Sequence, residues 1–470
     1  MDWYHGQRVD LITVVCWNQR TDRRSETPRE IHVFYYCPCS ITRVVDMQAT
    51  NISSNRLKQH LLQWQELGPK WPGTRGERRA REYVKAEMDS YDGVDSRLES
   101  FEFCEWTPIS TTVRITDPVQ ETLDCVPVSY YGSDEVEGEV VYVGSGSVEE
   151  FEAAEDRGVD FEGKVVLATN DVPFMLSPLV DEHDAAGLLT VTDARMAGLS
   201  DVARRCAGAF YETTASAEEM VNDPASFPMD VTGAMLPMSA GHRLLSLTST
   251  DRVTVEVSNE AQYTVTETAN VIGVVEGTTH PEEYVVVGSH YDTEFTAPGV
   301  WDNGSGAAGT MELARAFASS DREPKRTMIF VVFSCEENGC WGSVNYVNRN
   351  QEDLAEGCVG MINLDAIGSA LTAHNTLWAS ESMADFMVDT AEMVDWDIDA
   401  LAGVKATFSD YAPFRDIGVP NCWVGDFDHL HPYYHSSGDV IEYMSLEKLQ
   451  RAIEYAGTAT NRLATMDQRL

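Results

Sequence analysis

The chain has 470 residues, of which 43% are hydrophobic, enough to bury a core and too many residues for one ordinary domain. Seventy-six acidic residues against 34 basic ones give a formal net charge of −42. That balance excludes nucleic acid and anionic membrane surfaces as partners, because both need a positive footprint.

Residues 1–46 stand apart. Six acids (Asp2, Asp10, Asp22, Glu26, Glu30, Asp46) are matched by six arginines, so the remaining chain carries all of the charge. Met47 then opens "MQATNISSNRLKQHLLQWQ", which reads as a start of its own, and 1–46 is expected to be an upstream extension. No apolar run reaches the ~18 residues of a membrane span. No convincing secretory signal is present, so the expected location is the cytoplasm. So acidic a surface repels itself in dilute buffer, and its composition resembles that of proteins from salt-accumulating archaea. The ten cysteines form no CxxC pairs, so buried free thiols are expected rather than zinc fingers or a disulfide framework.

Leu57, Leu61 and Trp64 recur at helical spacing over 54–67. "GPKWPGTRGE" breaks that helix, and Thr74 with Glu77 predicts a capping box for a second helix reaching Met88. From about 110 to 262 the chain turns to short β-like runs ("EVVYVG", "KVVLAT", "GLLTVT", "VTVEV") separated by Gly, Pro and acidic loops. From "NVIGVVEG" onward strands and helices alternate: "EYVVVGSH", a helix over 304–318, "MIFVVFS", "VGMINLD", a helix over 383–394, "PNCWVGD", and a closing helix over 446–463 with Leu446, Leu449 and Ile453 on one face. The expected fold is α/β: a mixed, mainly parallel sheet flanked by helices, formed by 47–109 and 263–470, with 110–262 as a β-rich insertion.

In open α/β sheets chemistry gathers at the carboxyl edge of the strands. Here those ends carry His290 and Asp292 in "SHYDT", Asp302 in "GVWDNGSG", Glu336 and Glu337 in "SCEENG", Asp365 in "INLDAIG", and His435 and Asp439 in "HPYYHSSGDV". An isolated pair of glutamates usually just faces water. Two imidazoles and three carboxylates in this order instead suit a pair of zinc-like ions, and Asp292 is placed to accept the spare ring N–H of His290. Cys335 and Cys340 flank the glutamates without a third soft ligand and are not expected to bind metal.

The series HxD, a Gly-rich DN loop, EE, NxDxIG and YHxxxD resembles the co-catalytic zinc aminopeptidase and glutamate carboxypeptidase family over about 270–440. "GTRGERRAREYV" is similar to the family's N-terminal portion. The insertion, with "DFEGKVVL", "AAGLL" and "MLPMSAGHRLLSL", is similar to a protease-associated domain. A neighbouring class carries a lid inserted after the glutamates, but the 69 residues between Asp365 and His435 leave no room for one. The resemblance implies two zinc ions, with cobalt or manganese as substitutes. His290 and Asp365 would hold one and Glu337 and His435 the other. Asp302 would bridge them, followed by a cis peptide to Asn303. Glu336 would be the general base, Tyr434 an oxyanion-supporting residue, Asp292 and Asp439 supports of the ligands, and Tyr411 and Phe414 substrate-lining. Tyr411 stands where relatives commonly carry His. The implied activity on peptides is that of an aminopeptidase. The alternatives are a carboxypeptidase or dipeptidase on the same scaffold, a one-zinc glutaminyl cyclase, and a non-catalytic binding protein. The sequence does not specify an oligomeric state.

Overall fold

In a computed structural model of the chain, residues 51–130, 134–170, 176–191, 216–222, 231–321, 323–403, 409–426 and 431–470 are described. All belong to the second of two compact units, Val44–Leu470. The expected extension 1–46 lies outside the described residues. No described helix is long and apolar enough to cross a membrane.

The strands pair into one mixed 14-stranded sheet. At its centre Arg326–Phe333 lies parallel to His280–His290, which lies parallel to Cys358–Leu364, which in turn lies parallel to Asn421–Gly425. Three of these strands, Arg326–Phe333, Cys358–Leu364 and Asn421–Gly425, are buried along their whole length. Their near-continuous apolar runs are what a parallel sheet covered on both faces requires. On one face lie the helices Ser54–Leu67, Arg75–Asp89, Ser305–Ala318, Glu381–Met393 and Leu446–Thr465, whose apolar stripes close a single core. Leu57, Leu61 and Trp64 are fully buried there, as are Leu449 and Ile453 of the closing helix. The opposite face is covered by Tyr346, Val347, Leu354, Phe414 and Val419.

The 23-residue strand Asp95–Asp117 runs antiparallel to the 22-residue strand Thr254–Val275 as one long ribbon. The sequence reads a change of character near 110. The structure keeps a continuous strand and absorbs Pro108 at a bulge between Pro108 and Ser110, with Ile109 58% exposed. Proline lacks the N–H that a regular ladder position needs, and a bulge removes that demand. Beyond the bulge the ribbon carries a parallel set, Glu135–Tyr142, Val165–Thr169, Gly187–Val191 and Thr232–Leu236. The segment expected to be mostly β also carries helices, among them Val148–Asp156 and Met238–Thr248.

The expected capping box at Arg75–Asp89 forms only in half. Thr74 accepts the Glu77 N–H. The Glu77 carboxylate does not return to the cap; it is buried and accepts the hydroxyls of Thr268 and Tyr291, each at 2.6 Å. The tyrosine between His290 and Asp292 is thereby tied to the N-terminal helices.

Candidate metal centre

The parallel register sets the site. Phe333 pairs with His290, so the turn after Phe333 rises beside the end of the histidine's strand. Asp365 comes directly after Leu364 on the other neighbour of that strand. Asp302 comes from the entry to the helix Ser305–Ala318 and is joined to Asn303 by a cis peptide. That entry packs tightly against the end of the third strand: a Cβ on Gly306 would lie 2.1 Å from the Leu364 carbonyl. The Asn303 side chain fastens the two, donating to the Leu364 carbonyl at 2.9 Å and accepting the Gly306 N–H at 2.8 Å.

The resulting cluster is dense. His290 Nε2 lies 3.4 Å from Asp302 Oδ1 and 3.4 Å from Asp365 Oδ1. His435 Nε2 lies 3.2 Å from Asp302 Oδ2 and 3.0 Å from Glu337 Oε2. Asp302 thus turns one oxygen to each histidine. Two groups of buried ligands result, His290–Asp302–Asp365 and Asp302–Glu337–His435, each with its ligand atoms within 4.8 Å of one another. Glu336 belongs to neither group. It is the least buried of these residues, with Oε2 3.8 Å from His290 Nε2.

Electrostatics call for a cation here. Four carboxylates (Asp302, Glu336, Glu337, Asp365) face two imidazoles, so with all four ionised the cluster would be net negative even with both imidazoles protonated. Like charges about 4 Å apart repel by about 4 kcal/mol at an effective dielectric constant near 20. Burial raises the Glu336 carboxyl well above the ordinary range; His290 opposes this, while Asp365, Glu337 and Asp410 add to it. Burial likewise lifts Glu337 to about 7. Burial disfavours protonation of His290, but Glu336 and Asp365 outweigh it and hold the imidazole pKa well above its usual value. Asp365 supplies a further sign: Oδ2 accepts Ser409 Oγ at 2.7 Å and Trp423 Nε1 at 3.3 Å, whereas Oδ1, aimed at His290, is buried with no hydrogen bond among the described residues. The donor set, imidazole nitrogens with carboxylate oxygens, suits zinc or a similar divalent ion.

The supporting residues differ in part from expectation. Asp292 is fully buried, but the oxygen nearest His290 Nδ1 is its backbone carbonyl at 3.2 Å, with the carboxylate at 3.7 Å. The carboxylate instead accepts the Glu336 N–H at 3.2 Å and the Glu337 N–H at 3.0 Å. Asp439 does the same for the other loop, accepting Trp301 N–H at 2.8 Å and Asp302 N–H at 3.0 Å. The Tyr434 ring stacks on His435, 3.7 Å between centroids. Phe414 sits in the second core against Phe333 and Tyr346, and Tyr411 is 2% exposed, so the structure places both in packing rather than on an open substrate wall. Cys335 and Cys340 are buried, belong to neither ligand group, and burial raises both thiols well above their usual range.

Sequence reasoning missed the parts played by Ser409, Trp423 and Glu294, whose backbone N–H donates to Glu337 Oε1 at 3.0 Å. It also missed Lys70, whose buried ammonium donates to the carbonyls of Gly68 at 2.7 Å and Pro298 at 2.6 Å. The only trace of Lys70 in the sequence is its place in the break between the first two helices.

Residues 270–460 match the description "Peptidase family M28". Among curated proteins, the chain is 30% identical over 203 residues to Aminopeptidase YwaD of Bacillus subtilis (strain 168), covering 40% of this chain and 43% of that protein. It is 28% identical over 232 residues to a protein of Arabidopsis thaliana named probable glutamate carboxypeptidase LAMP1, covering 45% and 32%. The chain therefore spans less than half the length of either relative. Its fold is that of an aminopeptidase from Aneurinibacillus sp. strain AM-1, with a TM-score of 0.67 at 22% identity over 91% of this chain and 98% of that one.

Proposed function

We propose that the chain is a dinuclear zinc exopeptidase that removes N-terminal residues from peptides. The observation that supports this reading is a pair of buried ligand groups sharing Asp302, with the Glu336 carboxylate beside His290 and part of neither group. His290 and Asp365 would hold one ion, Glu337 and His435 the other, and Asp302 would serve both. A divalent ion in such a group acts as a Lewis acid, acidifying water and polarising a peptide carbonyl. Glu336, its carboxyl pKa raised by burial and neighbouring acids, takes a proton from the attacking water and returns it to the leaving amine. Tyr434, fixed against His435, presents its hydroxyl to the developing oxyanion. Asp292 and Asp439 keep the two ligand-bearing loops in place.

We take the ammonium end of the peptide, rather than its carboxylate end, as the end recognised. The aminopeptidase named among the relatives agrees with that preference. The segment 110–262 is read as a protease-associated-like insertion.

Two measurements test the reading together: metal analysis of zinc-reconstituted protein, and hydrolysis of amino-acid p-nitroanilides against N-blocked dipeptides. The expected result is two tightly bound ions per chain and turnover that requires a free amine. One ion at most, or cleavage only of N-blocked substrates, would overturn it.

A further inference from the structure

The turn that carries the two glutamates is held from both sides. On one side Asp292 accepts the N–H groups of Glu336 and Glu337. On the other side the next residue, Asn338, reaches out of the peptidase part of the chain. Its Nδ2 donates to the Tyr130 hydroxyl at 2.8 Å, and that hydroxyl donates to the Cys104 carbonyl at 2.6 Å. Tyr130 lies in the inserted segment, between the strands Val126–Pro127 and Glu135–Tyr142. Both side chains are fully buried. The Tyr130 ring is lodged against Trp106 and Tyr263 of the long ribbon, at 6.1 and 6.5 Å between centroids.

The backbone marks the same place. Tyr130 has φ +61°, and the turn itself is bracketed by Cys335 at +62° and Cys340 at +57°. A non-glycine residue held in the left-handed region costs of order 1–3 kcal/mol and persists only where its surroundings over-determine it. The hydrogen bonds do so here. Asn338 Oδ1 is buried without a hydrogen bond among the described residues, so the bond to Tyr130 is the one that fixes the amide.

We propose that Tyr130 is a positioning residue for the catalytic turn: acting through Asn338, the inserted segment sets the placement of Glu336. The proposal rests on the reading of Glu336 as general base. Without the hydroxyl, a buried amide loses its partner at the residue directly after the glutamate pair. A proton-transferring carboxylate tolerates little displacement, since errors near 1 Å cost up to ~10²-fold in rate.

The test uses the zinc-loaded full chain and Leu p-nitroanilide. Tyr130→Phe should lower kcat about 10-fold with KM within about twofold of the parent. Asn338→Ala breaks the same bond from the other end and should reproduce the loss, which keeps the proposal testable if Tyr130→Phe does not fold. The double variant should be no slower than Asn338→Ala alone, because both act through one bond. Tyr142→Phe, an exposed tyrosine of the same segment, should leave turnover unchanged. Turnover of Tyr130→Phe and Asn338→Ala within twofold of the parent, or additive losses in the double variant, would overturn the proposal. Glu336→Gln in the same assay separates the two levels. If it is inactive while Tyr130→Phe is unimpaired, only the positioning role fails. If Glu336→Gln keeps full turnover, the base assignment fails and the positioning role with it.

Discussion

Removing the Asp292 carboxylate should loosen the turn that carries Glu336 and Glu337. Each of its oxygens accepts one backbone N–H of the turn, Glu336 at 3.2 Å and Glu337 at 3.0 Å, in a fully buried setting. Leaving a buried donor unmet costs about 1–3 kcal/mol, so Asp292→Ala should destabilise the metal-free protein by roughly 2–6 kcal/mol. His290 keeps its nearest partner, the Asp292 backbone carbonyl at 3.2 Å, in that variant. The expected 10–100-fold loss of zinc affinity therefore comes largely through the turn and falls mainly on the group that would be completed by Glu337 and His435. Asp292→Asn, which restores one acceptor oxygen, should lose about half as much stability. Urea unfolding of the metal-free protein and zinc competition against a chromophoric chelator measure the two effects. Unchanged stability together with weakening confined to the group of His290 and Asp365 would refute the turn-centred account and return the role of Asp292 to His290.

Glu336→Gln should keep its metal content and lose at least ~10²-fold in kcat, the usual scale for a general base; loss of metal with turnover retained would show that the two glutamates have the opposite roles. Burial lowers the Lys70 ammonium to about 7, with Asp439 opposing the shift, against 10.5 for an ordinary lysine. The unfolded chain then binds the extra proton between those values, so this residue makes stability rise with pH from about 7 to about 10. Urea titrations at pH 7 and 9.5 should show a rise in the parent that Lys70→Met lacks; parallel slopes in the two proteins would sink the assignment. With a formal charge of −42, thermal stability and activity should both climb into molar KCl, where the screening length falls to about 3 Å. Glu substrates should gain more than Leu substrates of equal size. Best performance in dilute buffer would refute this.

The candidate ligand cluster was legible in part because His290 ends a strand, Asp365 directly follows one and Glu337 lies in the turn after a third. "MIFVVFS" and "VGMINLD" fall on strands buried from end to end, so the residues just beyond them must emerge at one edge of a parallel sheet. The hidden features depend on contacts between distant parts of the chain. Tyr130 meets Asn338 across 208 positions and Lys70 meets Pro298 across 228, and neither pair leaves a local pattern. Glu77 illustrates a local rule overridden: its spacing from Thr74 fits a capping box, but the buried hydroxyls of Thr268 and Tyr291 claim the carboxylate. Pro108 is a second such case, since proline favours the end of a strand and the ribbon passes it with a bulge. Helix Met238–Thr248 was hidden among β-like runs because its buried face, Ala240, Gly241 and Leu244, is small.

The ribbon also bears on how the chain assembles. Asp117 pairs with Thr254, so the 136 residues between them are in effect the turn of a very long hairpin. Joining the ends of a flexible loop of that length costs about 4 kcal/mol in chain entropy, plus a constant, before any rung forms. If the segment inside the loop folds first with its ends together, that cost is met within the segment and the ribbon can zip outward from the bulge. The strand Thr254–Val275 pairs on its other side with Arg326–Phe333, the strand that leads into the glutamate turn. Destabilising the inserted segment should therefore slow formation of the central sheet even where no contact with the metal centre is touched.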